Sequence, residues 1–128
     1  DGPDNDYRAQ IAGGLAALDD HDLVVVHVES PDEEGHGGNT QGKIAAIEAI
    51  DREMVSVLRS RLDEVRVLVM PDHPTPIELK THVGEPVPFV LAGPGIAPNG
   101  GTEFREVTAA ATGLIVDPGH GVVDLLLG

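Results

Sequence analysis

The run Leu23-Val-Val-Val-His-Val28 constrains this chain more than any other segment. Four valines among six residues favour extended backbone and disfavour a helix, because two heavy atoms on Cβ restrict χ1. Apolar side chains fall on both faces of the run, the pattern of a strand buried on both sides in a parallel sheet. The run is also the longest strongly apolar one, and a membrane span needs roughly 20 such residues. A strand of this kind requires neighbours on each edge and helices on each face. The 128 residues, 41% of them apolar, suit one domain able to bury a core.

Helical periodicity supplies the cover. Tyr7 to Leu18 carries Ile11, Leu15 and Leu18 at helical spacing, weakened by Gly13-Gly14. The clearest helix runs from about Thr40 to Leu62. There Ile44, Ile47, Ile50, Met54, Val57 and Leu58 step by three and four, with Glu48, Asp51, Arg52 and Arg59 facing outward. Val65 to Met70 reads as a second strand and Val87 to Leu91 as a third, interrupted by Pro88 and so suited to an edge. Polar or glycine- and proline-rich segments at Ser30–Gly38, Pro71–Pro76 and Gly93–Gly101 read as loops, and Phe104–Gly113 and His120–Leu127 as closing helices. Alternation of this kind predicts an α/β fold, an open and mostly parallel sheet with helices on both faces.

Charge excludes some partners. Eight Lys and Arg against 22 Asp and Glu give a net charge of −14, the wrong sign for nucleic acid or an anionic membrane. The absence of cysteine excludes disulfides and thiolate metal sites and fits a reducing compartment. With no basic, apolar leader, the composition predicts a soluble, cytoplasmic protein. Lysine occurs only at Lys43 and Lys80, which fits either an arginine-preferring coding bias or adaptation to salt. The chain opens on Asp1 rather than Met, and Asp1–Asp6 reads as an interior loop, so a piece of a longer protein is expected.

Three clusters could carry chemistry. In Pro31-Asp-Glu-Glu-Gly-His36, Asp32 and His36 would share a face if that turn is helical. Asp72-His73 is clamped between Pro71 and Pro74, and His82 follows nine residues on. Carboxylate and imidazole without thiolate suit Zn²⁺ or Mn²⁺, and the donors suffice for a two-metal centre of the phosphoryl-transfer kind. Each cluster also has an ordinary explanation. His36 could cap a helix or be solvated, Asp72 could form an Asx turn, and His82 stands alone. Glu29, Glu33 and Glu34 read as a solvated acidic loop, and His27 as a hydrogen-bonded core histidine. Both Asp/His-rich loops follow a strand's C-terminal end, where open α/β sheets place their ligand crevice. Spacing alone supports a metal site and leaves its kind open.

The string His27-Val-Glu-Ser-Pro-Asp-Glu-Glu-Gly-His36, with Lys43, Ile47-Glu-Ala-Ile-Asp51, Asp72-His-Pro-Thr-Pro76, His82 and Pro86-Val-Pro88, resembles a known family. It is similar to the C-terminal part of archaeal-type cofactor-independent phosphoglycerate mutases, in the alkaline phosphatase superfamily. The likeness runs from about Asp6 to Leu127. It implies that residues 1–128 form a single partial domain of an alkaline-phosphatase-like core. It further implies two divalent ions, Mn²⁺ or Zn²⁺, assisting phosphoryl transfer through a serine. Asp32, His36 and His82 would hold one ion, and Asp72 and His73 part of the shell of the other.

The family's nucleophilic serine, a further metal-binding aspartate and the substrate domain have no counterpart here, so the catalytic nucleophile is expected outside this chain. Ser30, Thr40, Thr75 and Thr81 lie near the clusters, but nothing marks one as an activated nucleophile. The resemblance therefore implies a metal-dependent enzyme interconverting 2- and 3-phosphoglycerate, a small phosphorylated substrate, of which this fragment would be inactive alone. A related phosphotransferase such as a proposed homoserine kinase, a non-catalytic metal-binding domain and a water-using phosphatase are the alternatives. Truncation of a sheet predicts an exposed strand edge and self-association through it.

Overall fold

Helix α1 (Tyr7–Ala17) starts where Asp6 can cap it: Asp6 Oδ1 accepts from the Ala9 N–H at 2.9 Å. The computed structural model describes residues 5–128, so residues 1–4 of the expected opening loop lie outside the described residues. By its internal contacts the chain divides into two units. One comprises residues up to Ser60 together with Thr75–Val83; the other comprises Arg61–Pro74 and Gly84–Gly128.

In the first unit α1 is followed by an extended segment and then by α2 (Ser30–Gly37), where the sequence predicts a loop. Helix α2 lacks the apolar period that identifies helices in sequence, but its ends are well formed. Pro31 lies in the first turn, where its missing N–H costs no intrahelical bond. Asp32 and Glu33 complement the positive end of the helix dipole, and Gly38 terminates it in the left-handed region at φ 70°. One residue later Asn39 caps α3 (Thr40–Ile50), its Oδ1 accepting from the Gly42 N–H at 3.1 Å. This helix continues through a π-helical turn at Asp51–Val55 into α4 (Ser56–Arg59), so the long helix expected from Thr40 forms with one register change.

The core of this unit is small. Tyr7, Ile11 and Met54 are buried, with Val26, Val28, Val57 and Leu58 packed around them. The Tyr7 hydroxyl also bonds Ser30 Oγ at 2.7 Å, tying α1 to the start of α2. Two expectations are corrected here. Leu23–Val28 alternates exposed and half-buried side chains as a strand would, but among the described residues it joins no hydrogen-bonded ladder. Val24, Val26 and Val28 face the helices while Leu23, Val25 and His27 are exposed, so the run behaves as a half-covered strand. His27 is consequently no core histidine; its Nδ1 is 3.8 Å from Glu29 Oε1 at the surface. The apolar stripe of α3 is likewise only partly used, since Ile44 and Ile47 remain about half exposed.

The second unit contains β1 (Val67–Val69) and β2 (Val90–Ala92), paired antiparallel with Leu68 opposite Leu91. The open, mostly parallel sheet is thus replaced among the described residues by one two-stranded antiparallel ladder. Both strands are shorter than their apolar runs. Pro88, which has no N–H to give a ladder, precedes the start of β2. Arg66 braces the unit, donating from Nε to the Pro94 carbonyl at 2.8 Å and from Nη1 to the Leu126 carbonyl at 3.1 Å. Helix α5 (Glu106–Ala111) is shorter than the expected Phe104–Gly113. A 3₁₀ turn at Gly119–Gly121 leads into α6 (Val122–Leu127), within the closing helix expected from His120.

Candidate metal centre

The i, i+4 spacing of Asp32 and His36 becomes a shared face because the segment is helical. Asp32 Oδ2 lies 3.3 Å from His36 Nε2. The third member comes from the chain's return through Thr75–Val83. His82 Nε2 stands 3.3 Å from Asp32 Oδ1 and 3.0 Å from His36 Nε2, with the two rings tilted by 53°. One donor atom from each of the three residues falls within a 4.8 Å cluster at the surface of the first unit.

Hydrogen bonding to the backbone decides which atoms face the cluster. His36 Nδ1 is 3.0 Å from the Lys80 carbonyl. A carbonyl only accepts, so Nδ1 donates to it and Nε2 is the ring nitrogen directed at His82 and Asp32. Lys80 is the one non-glycine residue among those described with positive φ, 56°, at the end of the turn in which its N–H donates to the Pro76 carbonyl at 2.9 Å. That conformation aims the carbonyl at the imidazole.

The carboxylate is supported from the opposite side. The Thr75 hydroxyl donates to Asp32 Oδ1 through a short hydrogen bond, and Lys43 Nζ donates to the Thr75 carbonyl at 2.7 Å. Thr75 is 4% exposed, while the His36 and His82 side chains are 42% and 50% exposed. The cluster is held from below and open above.

These donors fit a divalent cation of the borderline class. One carboxylate and two neutral imidazole nitrogens suit Zn²⁺ or Mn²⁺, and three protein ligands leave positions for other groups. Two imidazole nitrogens 3.0 Å apart beside a carboxylate require a shared proton or a cation between them.

Asp72 and His73 belong to the second unit. Asp72 Oδ1 accepts from the His73 N–H at 3.0 Å, a local turn bond, and Oδ2 is 3.4 Å from His73 Nε2. The Asp72 side chain is largely exposed, with both carboxylate oxygens on the surface turn. Asp32, His36 and His82 converge within the first unit, and Asp72 and His73 lie side by side in the second.

Sequence reasoning missed three supports: the hydroxyl of Thr75, the carbonyl of Lys80 and the ammonium of Lys43. The sequence did contain a signal for the first. Thr75 sits between Pro74 and Pro76, a rigid frame in which a polar residue is held in place.

Comparison with known proteins bears on what this site belongs to. A family model described as the metalloenzyme superfamily matches residues 2–118. A probable 2,3-bisphosphoglycerate-independent phosphoglycerate mutase of Geobacter sulfurreducens is 41% identical over 128 residues, covering 97% of this chain and 32% of the relative. A 2,3-bisphosphoglycerate-independent phosphoglycerate mutase 2 of Methanothermobacter thermautotrophicus is 42% identical over 126 residues, covering 97% and 31%. The solved structure of the PH0037 protein from Pyrococcus horikoshii is similar with a TM-score of 0.84 at 29% identity, over 95% of this chain and 37% of that one. The chain spans about a third of the length of the curated relatives it matches.

Proposed function

The chain belongs to the metalloenzyme superfamily, and from that premise we propose that it is the metal-binding portion of a 2,3-bisphosphoglycerate-independent phosphoglycerate mutase. The observation that carries this reading is the convergence of Asp32, His36 and His82, with the Nε2 atoms 3.0 Å apart and open to solvent. In this reading these three residues hold one divalent ion, Mn²⁺ or Zn²⁺, and Asp72 and His73 contribute to the shell of a second. Bound ions would supply positive charge to stabilise a phosphoryl group in transfer.

The chain's own residues then have defined tasks. Lys80 fixes the His36 tautomer through its carbonyl, Asp32 supplies the negative charge, and the exposed side of the cluster leaves room for a phosphorylated ligand. The nucleophilic serine and the groups that bind phosphoglycerate come from outside this sequence. Residues 1–128 form one partial domain of an alkaline-phosphatase-like core, whose wider sheet is completed by other segments. Cytoplasmic location accords with this reading. Among the described residues no helix is long and apolar enough to cross a membrane.

Calorimetric titration with Mn²⁺ and Zn²⁺ tests the reading on this chain. Saturable binding is expected, weakened by at least about 10-fold in Asp32→Asn, which removes the charge but keeps the shape. Failure of the parent chain to bind either ion overturns the metal reading of Asp32, His36 and His82. Interconversion of 2- and 3-phosphoglycerate is then assayed on a longer protein carrying this sequence. Loss of that activity is expected for Asp32→Asn.

A further inference from the structure

We propose that Thr75 is the positioning residue of this metal centre, its hydroxyl setting the rotation of the Asp32 carboxylate and its backbone held in place by Lys43. The inference rests on the metal reading of Asp32, His36 and His82 given above.

A carboxylate on a short side chain has a broad torsional minimum at χ2, so its two oxygens are easily misdirected. Here each oxygen has its own imidazole, with Oδ2 toward His36 and Oδ1 toward His82, each at 3.3 Å. A hydroxyl donating to Oδ1 is the kind of contact that selects this rotation. The ionised carboxylate can only accept, and charge-assisted hydrogen bonds of this type are roughly twice as strong as neutral ones.

The donor must itself be immobile, and two features make it so. Lys43 Nζ, on α3, donates to the Thr75 carbonyl at 2.7 Å. Gly35, one turn on from Asp32 in α2, lets the Thr75 backbone lie directly against the helix. A Cβ at position 35 would stand 2.8 Å from the Thr75 carbonyl oxygen and 2.9 Å from its Cγ2. Helix α2 therefore presents two ligands and the seat for the residue that orients one of them. The same burial argues against Thr75 as a nucleophile, because its hydroxyl proton is committed to Asp32 and the side chain is almost inaccessible. Outer partners of this sort change metal affinity by about 10- to 100-fold when removed.

Mn²⁺ titration calorimetry on this chain, Thr75→Val and Thr75→Ser tests the proposal, with thermal unfolding of each metal-free protein alongside. Thr75→Val keeps the shape and deletes the hydroxyl, so affinity is expected to fall about 10-fold or more with the number of sites unchanged. Thr75→Ser keeps the donor and is expected to bind within about three-fold of the parent. That rescue separates positioning from packing, since serine loses the methyl and valine does not.

Equal binding by the valine variant and the parent overturns the proposal while the metal reading stands. Equal weakening in serine and valine also overturns it, because the hydroxyl would then be irrelevant. A parent chain that does not bind Mn²⁺ removes the metal reading and this inference together. Should Thr75→Val fail to fold, Lys43→Met becomes the deciding variant, expected to weaken Mn²⁺ binding by about three- to ten-fold. Unchanged affinity in Lys43→Met overturns the clamp.

Discussion

Lys80 adopts φ 56°, a conformation that costs a residue with a β-carbon about 1 kcal/mol or more. What this conformation secures is a backbone atom, the carbonyl that accepts from His36 Nδ1 at 3.0 Å. The side chain is therefore replaceable and the backbone angle is not. Lys80→Gly is expected to keep Mn²⁺ affinity and to leave the unfolding midpoint unchanged or slightly raised. Lys80→Val, with a branched Cβ in the left-handed region, is expected to destabilise by about 1–2 kcal/mol and to weaken binding. Thermal denaturation and ion titration read the two effects, and an unaffected valine variant would contradict the assignment. At this scale the candidate ligands were legible because side chains of ligand type at i and i+4 are visible in sequence. The roles of the supports were not: the proline frame of Thr75 is visible, but a carbonyl has no letter of its own and the threonine's partner lies 43 positions away.

Helix α2 shows how an element can be invisible to periodicity. Its eight residues, Ser-Pro-Asp-Glu-Glu-Gly-His-Gly, present no apolar stripe and contain two glycines. The signals present were at its ends: proline in the first turn, acids beside it and Gly38 after it. Its two glycines have opposite requirements. Alanine at position 35 meets the Thr75 backbone at 2.8 Å, whereas position 37 has nothing within 4 Å. Gly37→Ala is expected to stabilise the metal-free chain by up to about 1 kcal/mol through helix propensity. Gly35→Ala gains the same propensity but forces backbone apart, for an expected net loss of about 1–2 kcal/mol and weaker Mn²⁺ binding. Denaturant unfolding of the pair checks this, and two variants of equal stability would deny the close approach. The long helix from Thr40, by contrast, was plain in its spacing, and only its π-turn at Asp51–Val55 had no sequence signal.

On the scale of the whole chain, apolar surface outruns cover. Val25 is 82% exposed on an extended segment, and Ile44 and Ile47 are exposed on α3. Concentration-dependent self-association is expected, growing with salt as the net charge of −14 is screened. Sedimentation velocity at several protein and salt concentrations reads it, and Val25→Lys should suppress it. A monomer under all these conditions would refute the exposed edge. The sequence by itself determined which segments are helical or extended wherever apolar spacing was strong, and it determined the chemistry of the donors, because both are properties of neighbouring residues. It misplaced His27 and could not specify the sheet's pairing, since one run of valines does not determine who pairs with it or covers its second face. Only the tertiary structure decided that His82 meets the Asp32–His36 face, and that Thr75, Lys43 and the Lys80 carbonyl hold it there. Those contacts span 32 to 50 positions, and a periodicity that repeats every two or four residues carries no record of them.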